Sequence, residues 1–238
     1  MQDLKSRKPL KQSNMKTRNW MLTAIAVLAT AFSLQSCLNE DDNSHLRMPN
    51  ALVTLKNNAA LGFYLQLDDK TIVKPTNITK SPYGTKELRA FVNLKFDDKD
   101  KDKMERAAYV NWIDTILTKP MAKNLGEKND ATYGNDPIEI VKDWATILED
   151  GYLTLRFRTY FGDPKKTHMI NLIPTGKPYE VELRHNANGD KAGFVGDGCV
   201  AFRLSDLPDT GDKEVELTIK WKSFSGDKSA KFKYKTRK

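Results

Sequence analysis

Residues 88–96, LRAFVNLKF, place an apolar side chain at every second position from Leu88 to Phe96. The same two-residue period recurs in residues 63–68, 152–159, 179–184 and 215–222. Such alternation is typical of antiparallel β-strands that have one buried face and one solvated face. The sequence therefore predicts an all-β protein.

Polar turn signals separate these predicted strands. They are DDK at 68–70, SPYG at 81–84, NANGD at 186–190 and SGD at 225–227. Alternating strands joined by such turns indicate a barrel or a sandwich. Residues 232–234, with apolar side chains between lysines, predict a charged edge strand that resists pairing with other chains.

The period fades at residues 120–135, which contain Pro120, Gly126 and Gly134. About 70 residues of strand pattern precede this stretch and about 100 follow it, sizes that suit a small barrel and a sandwich. We predict a five-stranded barrel over residues 50–119, a linker over 120–135, and a seven-stranded sandwich over 136–238.

The N-terminal region has the pattern of an export signal. Six basic residues and one acid lie in residues 1–36, and residues 20–34 are uncharged and mostly apolar. That apolar run is shorter than the ~20 residues of a membrane-spanning helix. We predict a signal peptide over residues 1–36; Met15 is an alternative start, because it would give a more compact leader.

Cys37 follows Leu34-Gln35-Ser36, an arrangement that resembles a bacterial lipobox. In such signals the cysteine is lipidated and becomes the new N-terminus, so Cys37 is the predicted lipidation site. The alternative is an ordinary cysteine behind a signal peptide. Residues 37–49 would form the tether. Its acidic residues 40–42 resemble a signal for the outer face of the outer membrane, or they are a solvated spacer, in which case the protein faces the periplasm.

Charge and cysteine content exclude several function classes. The whole chain of 238 residues has a formal charge of +8, of which the leader supplies +5. The remaining +3 is an ordinary surface rather than a nucleic-acid footprint. Two cysteines exclude a disulfide scaffold or a four-cysteine zinc site.

Several motifs, in order, resemble the NigD-like lipoprotein family. They are FYLQLDD at 63–69, YVNWIDTILTK at 109–119, GNDPI at 134–138, GYLTLRF at 151–157, HMINL at 168–172 and LRHNANGD at 183–190. Lys70 stands where the family often has glycine, so we expect a turn other than type I′ there. The resemblance implies an N-terminal OB-like barrel, a C-terminal immunoglobulin-like β-sandwich and an envelope lipoprotein. The family name comes from a bacteriocin-associated operon, which suggests an immunity role, and no catalytic residues follow from it.

The remaining chemistry-bearing residues give no catalytic or metal pattern. His168, His185, Asp190 and Asp197 match no metal-ligand spacing, so we predict neither a metal nor a cofactor. The acids of residues 139–150 (Glu139, Asp143, Glu149 and Asp150) offer a carboxylate pair only if the fold brings two together, and we expect them to be solvated. Cys199 reads as a small buried side chain. We predict no enzyme activity.

The barrel offers four candidate ligand-binding residues: Tyr64, Tyr83, Arg89 and Phe91. Tyr64, Arg89 and Phe91 lie on the outward phase of their strands, where an aromatic ring beside arginine suits a sugar or a base. The alternative is that they cover an apolar patch or contact the second domain. We predict a lipid-anchored protein that binds or scaffolds an envelope protein or polysaccharide, or, alternatively, a bacteriocin-immunity factor.

Overall fold

A computed structural model of the chain describes residues 44–96 and 103–237. Cys37, the other residues of the leader and most of the tether lie outside this part of the chain. Five strands form a closed barrel: β1 (Ala51–Asn58), β2 (Gly62–Gln66), β3 (Ile72–Pro75), β4 (Leu88–Phe96) and β5 (Glu105–Thr115). Their order is β1-β2-β3-β5-β4, and β4 pairs back with β1. This is the predicted OB-like barrel.

The barrel core is formed by alternate residues of each strand, as the sequence predicts. Val53, Leu65 and Val92 are fully buried inside the barrel, and the residues next to them on their strands face outward. The turn between β2 and β3 differs from a type I′ turn, as Lys70 led us to expect. The Asp68 carboxylate accepts hydrogen bonds from the backbone N–H groups of Lys70 and Thr71, both at 2.8 Å. An aspartate thus replaces the positive φ of glycine as the device that closes the turn.

The second domain is a sandwich of two sheets. Its strands are β6 (Leu117–Pro120), β7 (Glu139–Ile140), β8 (Ile147–Glu149), β9 (Tyr152–Phe161), β10 (Met169–Pro174), β11 (Glu180–Asn186), β12 (Phe194–Arg203), β13 (Val215–Ser223) and β14 (Gly226–Tyr234). One sheet has the order β10-β11-β13-β14; the other has β6-β12-β9-β7, with β8 also paired to β9. The apolar sides of the two sheets share one core around Leu155, Leu172 and Ile219.

The sandwich confirms the predicted architecture but differs from the predicted seven strands. The two sheets have four and five strands in the described residues. The additional strands are short, and β6 and β7 lie at the sheet margins. Strands of two to four residues are too short to show a two-residue period. The β14 edge strand, with its exposed lysines, lies where the sequence placed it.

The segment expected as a linker, residues 120–135, packs on the sandwich. Met121 lies in the sandwich core, and the Ala122 N–H donates to the Leu172 carbonyl at 2.8 Å. A short helix, α1 (Asn129–Tyr133), follows. β6 precedes this helix and pairs in parallel with β12. The one residue between β5 and β6 is the buried Ile116, so the chain enters the sandwich directly from the barrel.

Candidate functional site

Arg89, a predicted ligand-binding residue, is fully buried between the two domains. Its guanidinium donates to Thr54 Oγ1 at 3.0 Å in the barrel and to Thr154 Oγ1 at 3.3 Å in the sandwich. Glu149 Oε2 lies 3.4 Å from Nη2. This corrects the prediction that Arg89 meets a ligand. Arg89 does face the outside of the barrel, as predicted, but at this point the sandwich covers the barrel.

Phe91, two residues further along β4, faces the same way. Its ring packs on Leu52, Ile116 and Ala201, and meets the Trp144 ring edge to face at 5.5 Å between centroids. The alternative in which this side of the barrel contacts the second domain is therefore what the structure shows for both Arg89 and Phe91. Phe91 keeps part of its surface exposed at the domain junction.

The two predicted tyrosines have different surroundings. Tyr64 is half-buried, and burial, with the nearby carboxylates of Asp150 and Glu87, raises the pKa of its hydroxyl. Tyr83 is exposed, and its hydroxyl donates to the Ile113 carbonyl at 2.8 Å. A binding role for Tyr64 or Tyr83 stays a prediction.

Next to Arg89, polar contacts continue across the domain interface. Lys56 of β1 contacts the Asp150 carboxylate at 2.7 Å, and Arg237 contacts the same residue. The Tyr152 hydroxyl donates to Glu87 at 2.7 Å. Burial and this carboxylate raise the pKa of Tyr152 to about 12, so the hydroxyl remains protonated and donates this hydrogen bond at neutral pH.

The barrel covers only part of the outer surface of the sheet that contains β9 and β12. Thr154 and Ala201, paired across these strands, are fully buried beneath it. Further along the same strands, the outward side chains are exposed. We call this uncovered surface the open face; it comprises Asp143, Trp144, Arg156, Arg158, Tyr160, Asp197 and Phe224.

A fixed array of charges lies in the middle of the open face. Asp197 accepts hydrogen bonds from Arg156 Nη2 and Arg158 Nε, both at 2.6 Å, and Asp143 contacts Arg156 Nη1 at 2.5 Å. The bonds from Arg158 and Arg156 lower the pKa of Asp197 to about 2. The four groups therefore form a charge-balanced network that holds both guanidinium groups in place.

Exposed aromatic rings stand at both ends of this network. Trp144, with 52% of its surface exposed, adjoins Asp143 at one end. Tyr160 follows Arg158 on the same side of β9 and meets the Phe224 ring edge to face at 5.2 Å. The sequence shows Arg156, Arg158 and Tyr160 on one phase, but Trp144 and Phe224 lie in loops without a period, so sequence reasoning missed them.

The histidines form a buried chain of contacts rather than a metal site. His168 Nδ1 lies 2.9 Å from His185 Nε2, and its Nε2 lies 3.2 Å from Asp190. His185 Nδ1 faces the Pro137 carbonyl at 3.1 Å. Because both ends of this chain are acceptors, three hydrogen bonds need one proton more than two neutral imidazoles carry. Asp190 also accepts from the Gly162 N–H at 3.0 Å, so the chain ties together the loops at this end of the sandwich.

The candidate acids are each occupied by a cation or a hydroxyl. Glu139 contacts Ser223 and Lys228, Asp143 contacts Arg156, Glu149 contacts Arg89, and Asp150 contacts Lys56 and Arg237. Burial raises the pKa of Cys199 to about 11, which keeps its thiol protonated and weakly nucleophilic. In the described residues, no group of three or more His, Cys, Asp or Glu is placed to hold a metal ion.

A groove of about 590 Å³ lies on the other sheet. Its charged side chains pair with one another: Arg184 with Asp130 at 2.8 Å, and Lys220 with Glu180 at 2.9 Å. The groove lining differs from the open face, because its one aromatic residue, Trp221, belongs to the sandwich core. Within the described parts of the chain, no helix is long and apolar enough to cross a bilayer.

Comparison with known proteins gives two family matches and several related structures. Residues 52–116 match the NigD-like N-terminal OB domain, and residues 120–234 match the NigD-like C-terminal β-sandwich domain. No curated protein sequence matches the chain.

Among solved structures, a proposed toxin-related protein from Parabacteroides distasonis is 36% identical to this chain. The match covers 78% of this chain and 92% of that one, with a TM-score of 0.66. A NigD-like immunity protein from Bacteroides caccae is 17% identical over 77% of this chain and 95% of its own, with a TM-score of 0.54. A proposed lipoprotein from Bacteroides fragilis is 16% identical over 79% and 99%, also with a TM-score of 0.54. The last two likenesses show a common fold, whereas the two domain matches, which together span most of the chain, show that it belongs to the NigD-like family.

Proposed function

We propose that this protein is a lipid-anchored, non-enzymatic component of the bacterial cell envelope that binds another envelope molecule through the open face. Cys37 would carry the lipid, and the acidic tether would place the folded domains on the outer surface of the outer membrane. The single observation that carries the binding role is the open face itself, in which a fixed charge network lies between exposed aromatic rings.

The composition of the open face favours binding. Tryptophan, tyrosine and arginine are the residue types that contribute most energy at recognition surfaces. Here Arg156 and Arg158 are already held by Asp197, so they lose little side-chain entropy when a ligand arrives. An exposed surface built from pre-positioned groups is better suited to recognition than to the stability of the free protein.

The proposal of a non-enzymatic role rests on the state of the reactive groups. Acids of the 139–150 region form ion pairs, and the Cys199 thiol has a raised pKa. A general acid or a nucleophile needs a free group that is poised near neutral pH. Among the described residues, the candidates named from the sequence do not meet that requirement.

Capture from solubilised envelopes tests the binding role. Full-length protein and its Trp144→Ala variant are used as baits, with Tyr109→Ala as the matched control, because Tyr109 is an exposed aromatic residue of the barrel. We expect the same protein or polysaccharide to be captured by the native protein and by the control, and to be lost with Trp144→Ala. Equal capture by all three baits would contradict binding at the open face.

Protease treatment of intact cells tests the anchor and the location. We expect the native protein to be cleaved at the cell surface and Cys37→Ala to be lost from the membrane fraction. Cleavage only after lysis would place the protein on the periplasmic side and contradict the surface location. Retention of Cys37→Ala in the membrane would contradict lipid anchoring.

A second candidate function is immunity to a bacteriocin. It is favoured by the 36% identical relative, described as toxin-related, and by the immunity protein that shares the fold. Deletion of the gene would then sensitise cells to a bacteriocin made by the same or a neighbouring strain, and restoration of the gene would protect them. Unchanged sensitivity to a panel of bacteriocins from these strains would exclude this candidate function.

A further inference from the structure

We infer that the ligand of the open face is an uncharged oligosaccharide chain, bound across the Arg156–Asp197–Arg158 network and between the aromatic rings at its ends. This inference rests on the proposed function, because it names the ligand class of the same surface. Three features carry it: the mixture of hydrogen-bonding groups, the balance of charge, and the position of the rings.

Sugar hydroxyls need both donors and acceptors, and the open face supplies both. A guanidinium has five N–H groups. Arg156 uses three N–H groups in its bonds to Asp143 and Asp197, and Arg158 uses two in its bonds to Asp197. Two N–H groups of Arg156 and three of Arg158 therefore remain for a ligand. Each oxygen of the Asp143 carboxylate accepts one bond, and Asp197 Oδ1 also accepts one, so these three oxygens can still accept from hydroxyl groups, whereas Asp197 Oδ2 already accepts three. A phosphate or sulfate group accepts only, and it would leave these carboxylates unmatched.

The charge balance favours a neutral ligand. Two arginines and two aspartates leave the centre of the face without net charge, and Asp197 holds its charge because its pKa is about 2. A polyanion such as a nucleic acid or a sulfated glycan would gain little attraction here and would meet two carboxylates. An uncharged ligand avoids the cost of stripping water from a charge of its own.

The rings supply apolar surface of the shape that a pyranose presents. The negative face of an aromatic ring attracts C–H groups, which carry slight positive charge and cover one side of a sugar ring. Phe91 and Phe224 contact the rings of Trp144 and Tyr160 edge to face, which restricts their orientation. Trp144 and Tyr160 remain 52% and 36% exposed.

The arrangement is elongated, which suits a chain rather than a single sugar. Arg156 and Tyr160 are four residues apart on β9, a separation of about 13 Å along the strand. Trp144 extends the face beyond Arg156 on the other side, since the neighbouring Asp143 contacts Arg156. A ligand that touches both aromatic ends therefore spans several sugar units.

Calorimetric titration of the full-length lipidated protein tests the inference. The protein is kept in a detergent without a sugar headgroup, and the probes are neutral hexasaccharides of glucose, mannose, galactose and xylose. Heparin and oligothymidylate serve as polyanion probes. We expect at least one neutral hexasaccharide to bind, and its Kd to rise at least about tenfold, or about 1.4 kcal/mol, in Trp144→Ala and in Tyr160→Ala. Trp144→Phe should retain most of the affinity, and Tyr109→Ala should retain all of it.

The other outcomes separate the inference from the proposed function. If no neutral hexasaccharide binds and the molecule captured through Trp144 is a protein, the inference fails and the proposed function stands. Preferential binding of heparin or oligothymidylate would overturn the inference in favour of a polyanion. Hexasaccharide binding that both alanine variants leave intact would place the sugar site elsewhere. If capture and saccharide binding both fail, both proposals fall.

Discussion

Arg89 is fully buried where the barrel meets the sandwich. Period-two alternation assigns it correctly to the outward face of β4, but the sequence does not record that the sandwich covers that face. Its neighbours Thr54 and Thr154 come from opposite sides of the domain interface, 100 residues apart in sequence. Conversely, the sequence places Asp197 near the histidines and Asp190, whereas its partners Arg156 and Arg158 lie on another strand. Long-range pairing of this kind is set by the fold.

Arg89→Ala should strongly destabilise the protein. Burial lowers the pKa of Arg89 and raises that of Glu149, so this pair already has little surplus stabilisation, and loss of Arg89 leaves a partly buried carboxylate without its partner. We expect the free energy of unfolding to fall by about 3 kcal/mol in urea titrations. The exposed Arg158→Ala should cost far less, because solvent screens an ion pair at the surface. Equal, small losses would mean that Arg89 is not the buried interface residue described here.

Asp197 should make stability depend on acidity. Its pKa is about 2 in the folded protein against an ordinary 3.8, so the folded state favours the charged carboxylate. The resulting stability is present above about pH 4 and is lost as the pH falls from 4 towards 2. Because the site is partly exposed, we expect Asp197→Asn to cost about 1 kcal/mol at pH 7. Urea titrations in this pH range should show the difference shrinking; a difference that grows on acidification would contradict the account.

At the scale of elements, alternation located the long strands because each must bury one face. It failed at β6, β7 and β8, which are too short to show a period, and at residues 120–135, where a 3-10 turn (Gly126–Lys128) and α1 follow β6. It also gave no strand partners, so the parallel pairs β11 with β13 and β6 with β12 had no signal. Glycines on β12 allow aromatic rings of β9 to approach the β12 backbone closely, and the sequence pattern does not predict this contact.

Gly198 is the clearest of these positions. A Cβ at this residue would lie 2.5 Å from Cζ of Phe157, whose ring packs in the sandwich core. We expect Gly198→Ala to cost about 1–3 kcal/mol because the ring must move within a dense core. Thermal unfolding of this variant, compared with Ser229→Ala on exposed β14, measures the effect. Addition of Phe157→Leu should recover part of the loss; no recovery would show that the contact is not the cause.

At the scale of the whole molecule, the barrel and the sandwich share a buried polar interface. Lys56 with Asp150, Arg89 with Glu149, and Glu87 with Tyr152 each join the two domains. This interface covers the outward side of β1 and β4 around Thr54, Arg89 and Phe91, which leaves the uncovered sheet of the sandwich as the candidate surface.

The interface should make the two domains unfold together. We expect a single heat-absorption peak by calorimetry for the native protein. Asp150→Asn keeps a residue that tolerates the positive φ of 51° but removes the charge that meets Lys56 and Arg237. It should lower stability by about 3 kcal/mol and broaden or split the peak. Two separate peaks in the native protein would contradict the coupling.

Hydrogen–deuterium exchange of the full-length protein, with and without a polysaccharide extract of the envelope, tests whether the open face binds a ligand, because it locates the bound surface without substitutions. We expect increased protection in the outer half of β9 and β12, near Arg158 and Asp197, and in the loop that carries Trp144. Protection confined to the barrel strands around Tyr64 and Tyr83, with the open face unchanged, would contradict it.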